Sequence, residues 1–354
     1  MTKKLTLWIV GCFTLSIGIV VGLLALSKDI REQPGSFLRQ YPPHPVIESK
    51  SIKLADEHYY FAGATRDKIY VANTLKPLEI LEINSDMSDT SVVHLKIDNI
   101  EKQKYFRITV RIDSPYYYFM DGAIPYIYRG NITDWKGGPY MKDSTYFIDA
   151  IPISSGSFVL QAMSAKTREY ALGKMDVNSK EVKLNHDLLK KQFDGTFDVD
   201  GSFSYSKKSN RLVYVYYYRN QFIVMDTNLN LDYQGNTIDT FKIAQVKTAE
   251  VYSEKVVKLS APPIITNKDH TIYGQWLLIH SLLPAKNEYM KYFHKASIID
   301  VYDLTSNSYQ FSFRIFDQDG EKIKDLRVVG NRLYVLFQNS LLSYDLVDAY
   351  FSDI

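Results

Sequence analysis

The chain has 354 residues, 45% of them apolar and 23% charged, and 42 basic against 40 acidic side chains leave a formal net charge of +2. That length suits one large domain or two small ones, and the charge balance gives no electrostatic basis for a nucleic-acid partner. A single cysteine, Cys12, excludes an intrachain disulfide and a cysteine-based zinc site.

Lys3 and Lys4 precede an uncharged run over residues 5–26. At about 1.5 Å per helical residue the run reaches roughly 33 Å, enough to cross a bilayer core. The cationic end is the extreme N-terminus, so it stays in the cytoplasm and the remainder is exported, which is periplasmic in a bacterium. Ala25-Leu26-Ser27 resembles a cleavage site that would release a secreted protein, but the run exceeds the roughly 7–15 apolar residues of a cleaved signal, favouring an uncleaved anchor. Ile9-Val10-Gly11-Cys12 resembles a bacterial lipobox that would put a lipid on Cys12; the apolar residues after Cys12 count against it. Residues 1–27 thus predict an anchor or signal segment. Pro34-Gly35, Pro42-Pro43 and Pro45 predict an extended linker over 28–45.

From residue 46 onward one pattern recurs. Aromatics make up 14% of the chain, with 28 tyrosines, a bias suited to strands. An apolar, aromatic-rich strand begins near residues 68, 116, 157, 211, 276 and 332. A partner strand follows each, as in Phe222-Ile223-Val224-Met225-Asp226 and Leu341-Leu342-Ser343-Tyr344-Asp345. An inner strand precedes each pair, over 59–62, 106–112, 146–151, 202–206, 256–259 and 326–329, and the alternating stretches 91–97 and 309–315 read as outer edge strands. Four strands with turns take about 40–50 residues, the size of a propeller blade. The sixth copy ends near Asp345 without a fourth strand, and the alternating segment 46–54 can supply it, closing the ring and removing an exposed edge. The expected fold is therefore all-β: a six-bladed β-propeller over 46–354, closed by an N-terminal strand and preceded by one transmembrane helix. A sandwich needs no such recurrence; seven blades are the lesser variant, because the fifth copy is long. Residues 185–193 read as one or two helical turns.

The run Ile69-Tyr70-Val71-Ala72-Asn73, followed by Leu78-Glu79-Ile80, resembles the six-bladed, TolB-like propellers of exported bacterial proteins. The resemblance is architectural and covers about residues 46–354. It implies a scaffold that binds proteins, peptides, glycans or small molecules, and it implies no reaction.

The seven histidines include no closely spaced metal-ligand pair, and no nucleophile elbow, phosphate loop or dinucleotide fingerprint occurs. No cofactor is implied. Asp317-x-Asp319-Gly320 opens like a calcium loop, but position twelve is Val328, so it reads as a turn. Alternation places Tyr214, Tyr216 and Tyr218 on one face of a strand and Val213, Val215 and Tyr217 on the other. Large rings there fill gaps between blades, or with Arg219 they present a surface for a sugar or carboxylate.

Propellers bind through loops at the ends of the central channel. The turns after the first repeated strands fall on one end and contribute Lys76, Asp121, Arg168, Arg219 and Asn220 as candidate ligand-binding residues. In the fifth copy this turn swells to 282–296, adding Tyr289, Tyr292 and His294, with His280 at its flank; an insertion in one repeat marks the working face. The expected function is a non-catalytic, membrane-anchored binding or interaction scaffold for a protein, peptide or glycan, with the membrane engaged through residues 5–26. The alternative is a propeller enzyme of lyase, lactonase or glycosidase type with its site at the channel mouth.

Overall fold

The computed structural model describes residues 3–26 and 35–352, apart from 99, 101–104, 143–144 and 252–255; in the first helix, side chains are described for residues 8–22. Helix α1 spans Lys3–Leu26, and its side chains from 8 to 21 are exposed. Among the described residues no helix is long and apolar enough to cross a membrane.

Most of the remaining strands form antiparallel groups of four, of which the first two join, with the short parallel strand Lys96–Ile97 on the outer edge, into one nine-stranded sheet. The first holds Tyr59–Ala64, Lys68–Asn73, Glu79–Asn84 and Thr90–His94. The second holds Ile108–Asp113, Tyr116–Asp121, Tyr126–Asn131 and Lys136–Lys142. The third holds Asp149–Ser154, Ser157–Met163, Tyr170–Asp176 and Glu181–Asn185, and the fourth Gly201–Ser206, Arg211–Tyr216, Gln221–Met225 and Leu231–Asn236. The fifth holds Asn267–Tyr273, Trp276–Ser281, Ala296–Asp303 and Ser308–Phe316. The last holds Asp325–Val329, Arg332–Leu336, Ser340–Leu346 and, on its outer edge, Val46–Lys53. That final strand runs antiparallel to Ser340–Leu346 from Val46 opposite Leu346 to Lys53 opposite Ser340. The closing strand expected from the sequence is therefore present.

The first strands of successive sheets contact one another in order, and that of the last sheet contacts that of the first. Backbone polar groups tie these inner strands together. Asp325 Oδ2 accepts the Phe61 N–H at 3.0 Å, and Asp269 Oδ2 accepts the Leu326 N–H at 3.1 Å. Tyr60 Oη accepts the Val110 N–H at 2.8 Å. Between the first two sheets Gly63 lies opposite Ile112 in a parallel bridge, where a Cβ would sit 2.2 Å from the Ile112 carbonyl oxygen. The apolar core is divided among the gaps between neighbouring sheets. Leu212, Tyr214 and Tyr216 pack with Val159 and Leu172 of the third sheet. Val213 and Val215, on the other face of the same strand, pack with Leu277 and Ile279 of the fifth. This is what the alternation of the tyrosine run predicts. The whole is an all-β arrangement of propeller type.

Four local differences from the sequence reading stand out. The inner strand of the fifth sheet is Asn267–Tyr273; the expected segment 256–259 is a strand, but it pairs with Thr248–Val251 in a side hairpin. Residues 186–200 form turns and bends without a helix, held by Asp198, which accepts the N–H groups of Phe193 and Gly195. The insertion in the fifth sheet carries a one-turn helix, α2, Met290–Phe293. From residue 35 onward the segment expected as a linker is fastened to the fifth sheet; residues 28–34 lie outside the described residues. Arg39 is buried and forks onto Asp300 at 2.7 and 2.9 Å, with further bonds to the Leu283 carbonyl and the Ser281 hydroxyl. Phe37 packs on Leu283 and Ala285.

Candidate functional site at the channel mouth

The inner strands begin at one end of the ring, and the turns between second and third strands fall on that same end. Hydrogen bonds join the two sets of loops: the Phe147 N–H to the Gly122 carbonyl, the Tyr170 N–H to the Gly195 carbonyl, and the Asn220 N–H to the Phe241 carbonyl. There the channel opens into a cavity of about 660 Å³. Its aromatic walls are Tyr59, Tyr60, Phe106, Tyr170 and Tyr217, and its charged groups are Arg107, Arg111, Asp149, Asp200 and Lys324.

Each charged group is set by its strand. Arg111 Nη2 donates to Asp149 Oδ1 of the neighbouring sheet at 3.0 Å. Burial works against the guanidinium, but Asp149 outweighs it and the Arg111 pKa is raised. Arg111 Nε is buried and, among the described residues, has no hydrogen-bond partner. Burial pushes the Asp200 carboxyl up to about 6, although the Gly201 N–H, Gln161 and Arg107 favour its charged form. Burial also lowers the Lys324 ammonium, whose Nζ donates to the Glu57 carbonyl. Behind this rim, burial and the neighbouring Asp325 raise Asp269 well above the usual carboxylate range. Cations, a part-protonated acid and ring faces therefore converge on one opening. Such a set suits a polar ligand bearing carboxylate or hydroxyl groups and a flat face for stacking.

Tyr217 of the tyrosine run lines this cavity, but none of the candidate ligand-binding residues named from the turns and the insertion does. Asp121 is fully buried and accepts the N–H groups of Arg107, Ala123 and Ile124, so it positions a rim residue without facing the opening. Arg219 is 1% exposed, stacks 3.8 Å above the Tyr216 ring and donates to the Lys190 carbonyl, so it presents no surface. Asn220 is buried and holds the Asp239 carbonyl at 2.6 Å. His280 is buried, and burial pushes it down to about 3 with Lys268 adding to the effect; it is a neutral core imidazole. His294 is exposed directly after α2, and among the described residues no group of histidine, cysteine or acidic side chains is placed to hold a metal. Lys76 is exposed and lies 3.8 Å from Glu79, and Arg168 is exposed in a turn at φ 58°. The structure does bring Tyr289 and Tyr292 together, with ring centroids 6.4 Å apart on the surface. Asp319 and Gly320 take positive φ in a turn bridged by Gln318 and Glu321, as the turn reading expected. The signal for the cavity lay elsewhere: a polar residue recurs where an inner strand begins, at Asp149, Asp200, Asp269 and Asp325.

No family model matches the chain, and no curated protein matches it. Among solved structures, a member of the duf4221 family from Bacteroides vulgatus has 14% identity and a TM-score of 0.52, over 85% of this chain and 97% of that one. YCF48 bound to D1 peptide has 9% identity and a TM-score of 0.48, over 91% and 100%. A nidogen/laminin complex has 8% identity and a TM-score of 0.45, over 76% and 92%. The duf4221 member is propeller-like and singles out no TolB-like group. At 14% identity that likeness extends to the fold alone, and with the cycle of sheets it makes the chain a protein of propeller type.

Proposed function

We propose that this chain is a six-bladed propeller, held outside the cytoplasm by an uncleaved N-terminal anchor, that acts as a non-catalytic binding module with its ligand seated in the channel mouth. The uncharged run over residues 5–26 and its flanking Lys3 and Lys4 support the anchor and its orientation; signal cleavage and lipidation at Cys12 are the alternatives. Six meanders in a cycle support the blade count. The observation that carries the binding role is the mouth itself, where Arg107 and Arg111 share with Asp149 and Asp200 a cavity walled by tyrosines. A peptide carboxylate or a glycan fits that lining.

The test is to probe peptide and glycan arrays with the detergent-solubilised full chain and with an Arg107→Ala, Tyr217→Ala double variant. Binding is expected in at least one arm, with affinity reduced about tenfold or more in the variant, since a stacked ring and a guanidinium each contribute over 1 kcal/mol. No retention on either array, or retention that the variant leaves unchanged, contradicts the reading. A second reading, acid–base chemistry on a sugar, is favoured by one observation: Asp200, raised to about 6, shares the cavity with Asp149. Glycan cleavage that Asp200→Asn abolishes would establish it.

A further inference from the structure

The two ends of the ring differ in chemistry. Turns between inner and second strands carry Arg66, Asp67, Ser155, Lys207, Lys208 and Asn331, and none of their described residues is a large exposed apolar side chain. The loop end is the reverse. Phe106 is 85% exposed, Tyr289 74%, Leu75 68% and Tyr146 67%, and Leu38 and Phe193 are also exposed. Isolated exposed apolar residues need no explanation, but a ring of them around one opening does. Exposed cations share the same loops, among them Lys166, Arg168, Lys242, Lys286, Lys291 and Lys295. The exposed carboxylates described there are Glu57, Asp187 and Asp319.

The chain also enters from this end. The Gly35 N–H donates to the Pro284 carbonyl in the insertion of the fifth sheet at 2.8 Å, and Arg39 fixes the following residues to that sheet. From Gly35 back to Leu26, the last residue of α1, the backbone can span at most about 30 Å. An anchor in α1 therefore holds the loop end, rather than the opposite one, within a short tether of the bilayer.

We infer that the loop end lies against an anionic bilayer surface, with Phe106, Tyr146, Tyr289 and Tyr292 entering the headgroup region and the surrounding lysines meeting acidic lipid. Aromatic side chains favour that interface, and basic groups are attracted to acidic headgroups within about a Debye length. The inference builds on the anchor reading and adds an orientation: the channel mouth faces the membrane, and its ligand arrives from that side.

The test uses the full chain reconstituted in phosphatidylethanolamine/phosphatidylglycerol vesicles whose acyl chains carry bromine near the headgroup. Tyr146→Cys and Tyr289→Cys report the loop end, and Ser155→Cys and Asn331→Cys the opposite end, each in a Cys12→Ser background with an environment-sensitive dye. A fifth sample carries the dye on native Cys12. Quenching of roughly twofold or more is expected at 146 and 289 and none at 155 and 331, weakening when phosphatidylcholine replaces the acidic lipid. Equal quenching at both ends, or none at 146 and 289, overturns the inference even if a protein partner later proves to dock there. An unquenched Cys12 refutes the anchor alone, because the loop-end labels decide the orientation by themselves.

Discussion

Asp200 shows how one carboxyl couples the mouth to stability. Its folded pKa of about 6 lies above the unfolded value of about 3.9, so the folded state binds the proton more tightly. Its favourable contribution is complete below about pH 4 and is lost as pH rises through 6, a difference of about 3 kcal/mol. His270 and His280, pushed down to about 3 by burial, act in the opposite sense: their contribution is present above about pH 6.5 and is lost as pH falls. Comparing Asp200→Asn with the parent isolates the carboxyl. The unfolding free energies are expected to differ little at pH 4, with the variant ahead by about 3 kcal/mol at pH 8; a difference that does not change with pH would contradict the assignment. At this scale the alternation of Val213 to Tyr216 was legible in the sequence, because period-two burial needs only the pattern. The cavity was not. Asp149 and Asp200 read as ordinary polar positions until the ring brings the starts of distant strands to one opening.

The anchored segment around Arg39 raises the same issue for whole elements. Proline, glycine and charge in residues 28–45 describe a spacer, yet the guanidinium is buried among Asp300, Glu288 and Ser281. Burial disfavours its charge, but Asp300 outweighs that cost and the Arg39 pKa is raised. Glu288 also pairs with Arg314 at 2.9 Å and accepts the Tyr41 hydroxyl. Removing one partner of a buried ion pair leaves the other uncompensated, so Arg39→Ala is expected to lower the unfolding free energy of the full chain by about 3–5 kcal/mol. Arg39→Ala with Asp300→Ala should recover part of that loss; a single variant within about 0.5 kcal/mol of the parent would show that the segment is not held this way. The inner strand of the fifth sheet was hidden for a related reason. Asn267, Lys268, Asp269 and His270 look like a loop, but their polar groups are used between sheets: Asn267 Nδ2 donates to the Tyr216 carbonyl at 2.9 Å, and Asp269 accepts the Leu326 N–H. Val256–Leu259 has a strand's composition and forms one, outside the ring.

At the scale of the molecule, the recurrence of hairpins and the missing fourth strand of the last repeat were both readable, because an unpaired sheet edge is costly and a propeller removes it by closure. The direction of the two ends was readable only in outline. Which residues crowd the loop end depends on where the connections cross, and the insertion with α2 and the segment from residue 35 are fixed there by contacts distant in sequence.

The closed ring requires the segment Val46–Lys53 to complete the last sheet, and a cross-link between the two strands tests this directly. Lys53→Cys with Ser340→Cys, in a Cys12→Ser background, places two thiols at opposed positions of the register. Mild oxidation should give an intramolecular disulfide in nearly all molecules and raise the unfolding free energy by roughly 4–5 kcal/mol, as expected for closing so long a loop. Thiols that stay free, or that link only between molecules, would contradict the closed ring and the loop end defined by it.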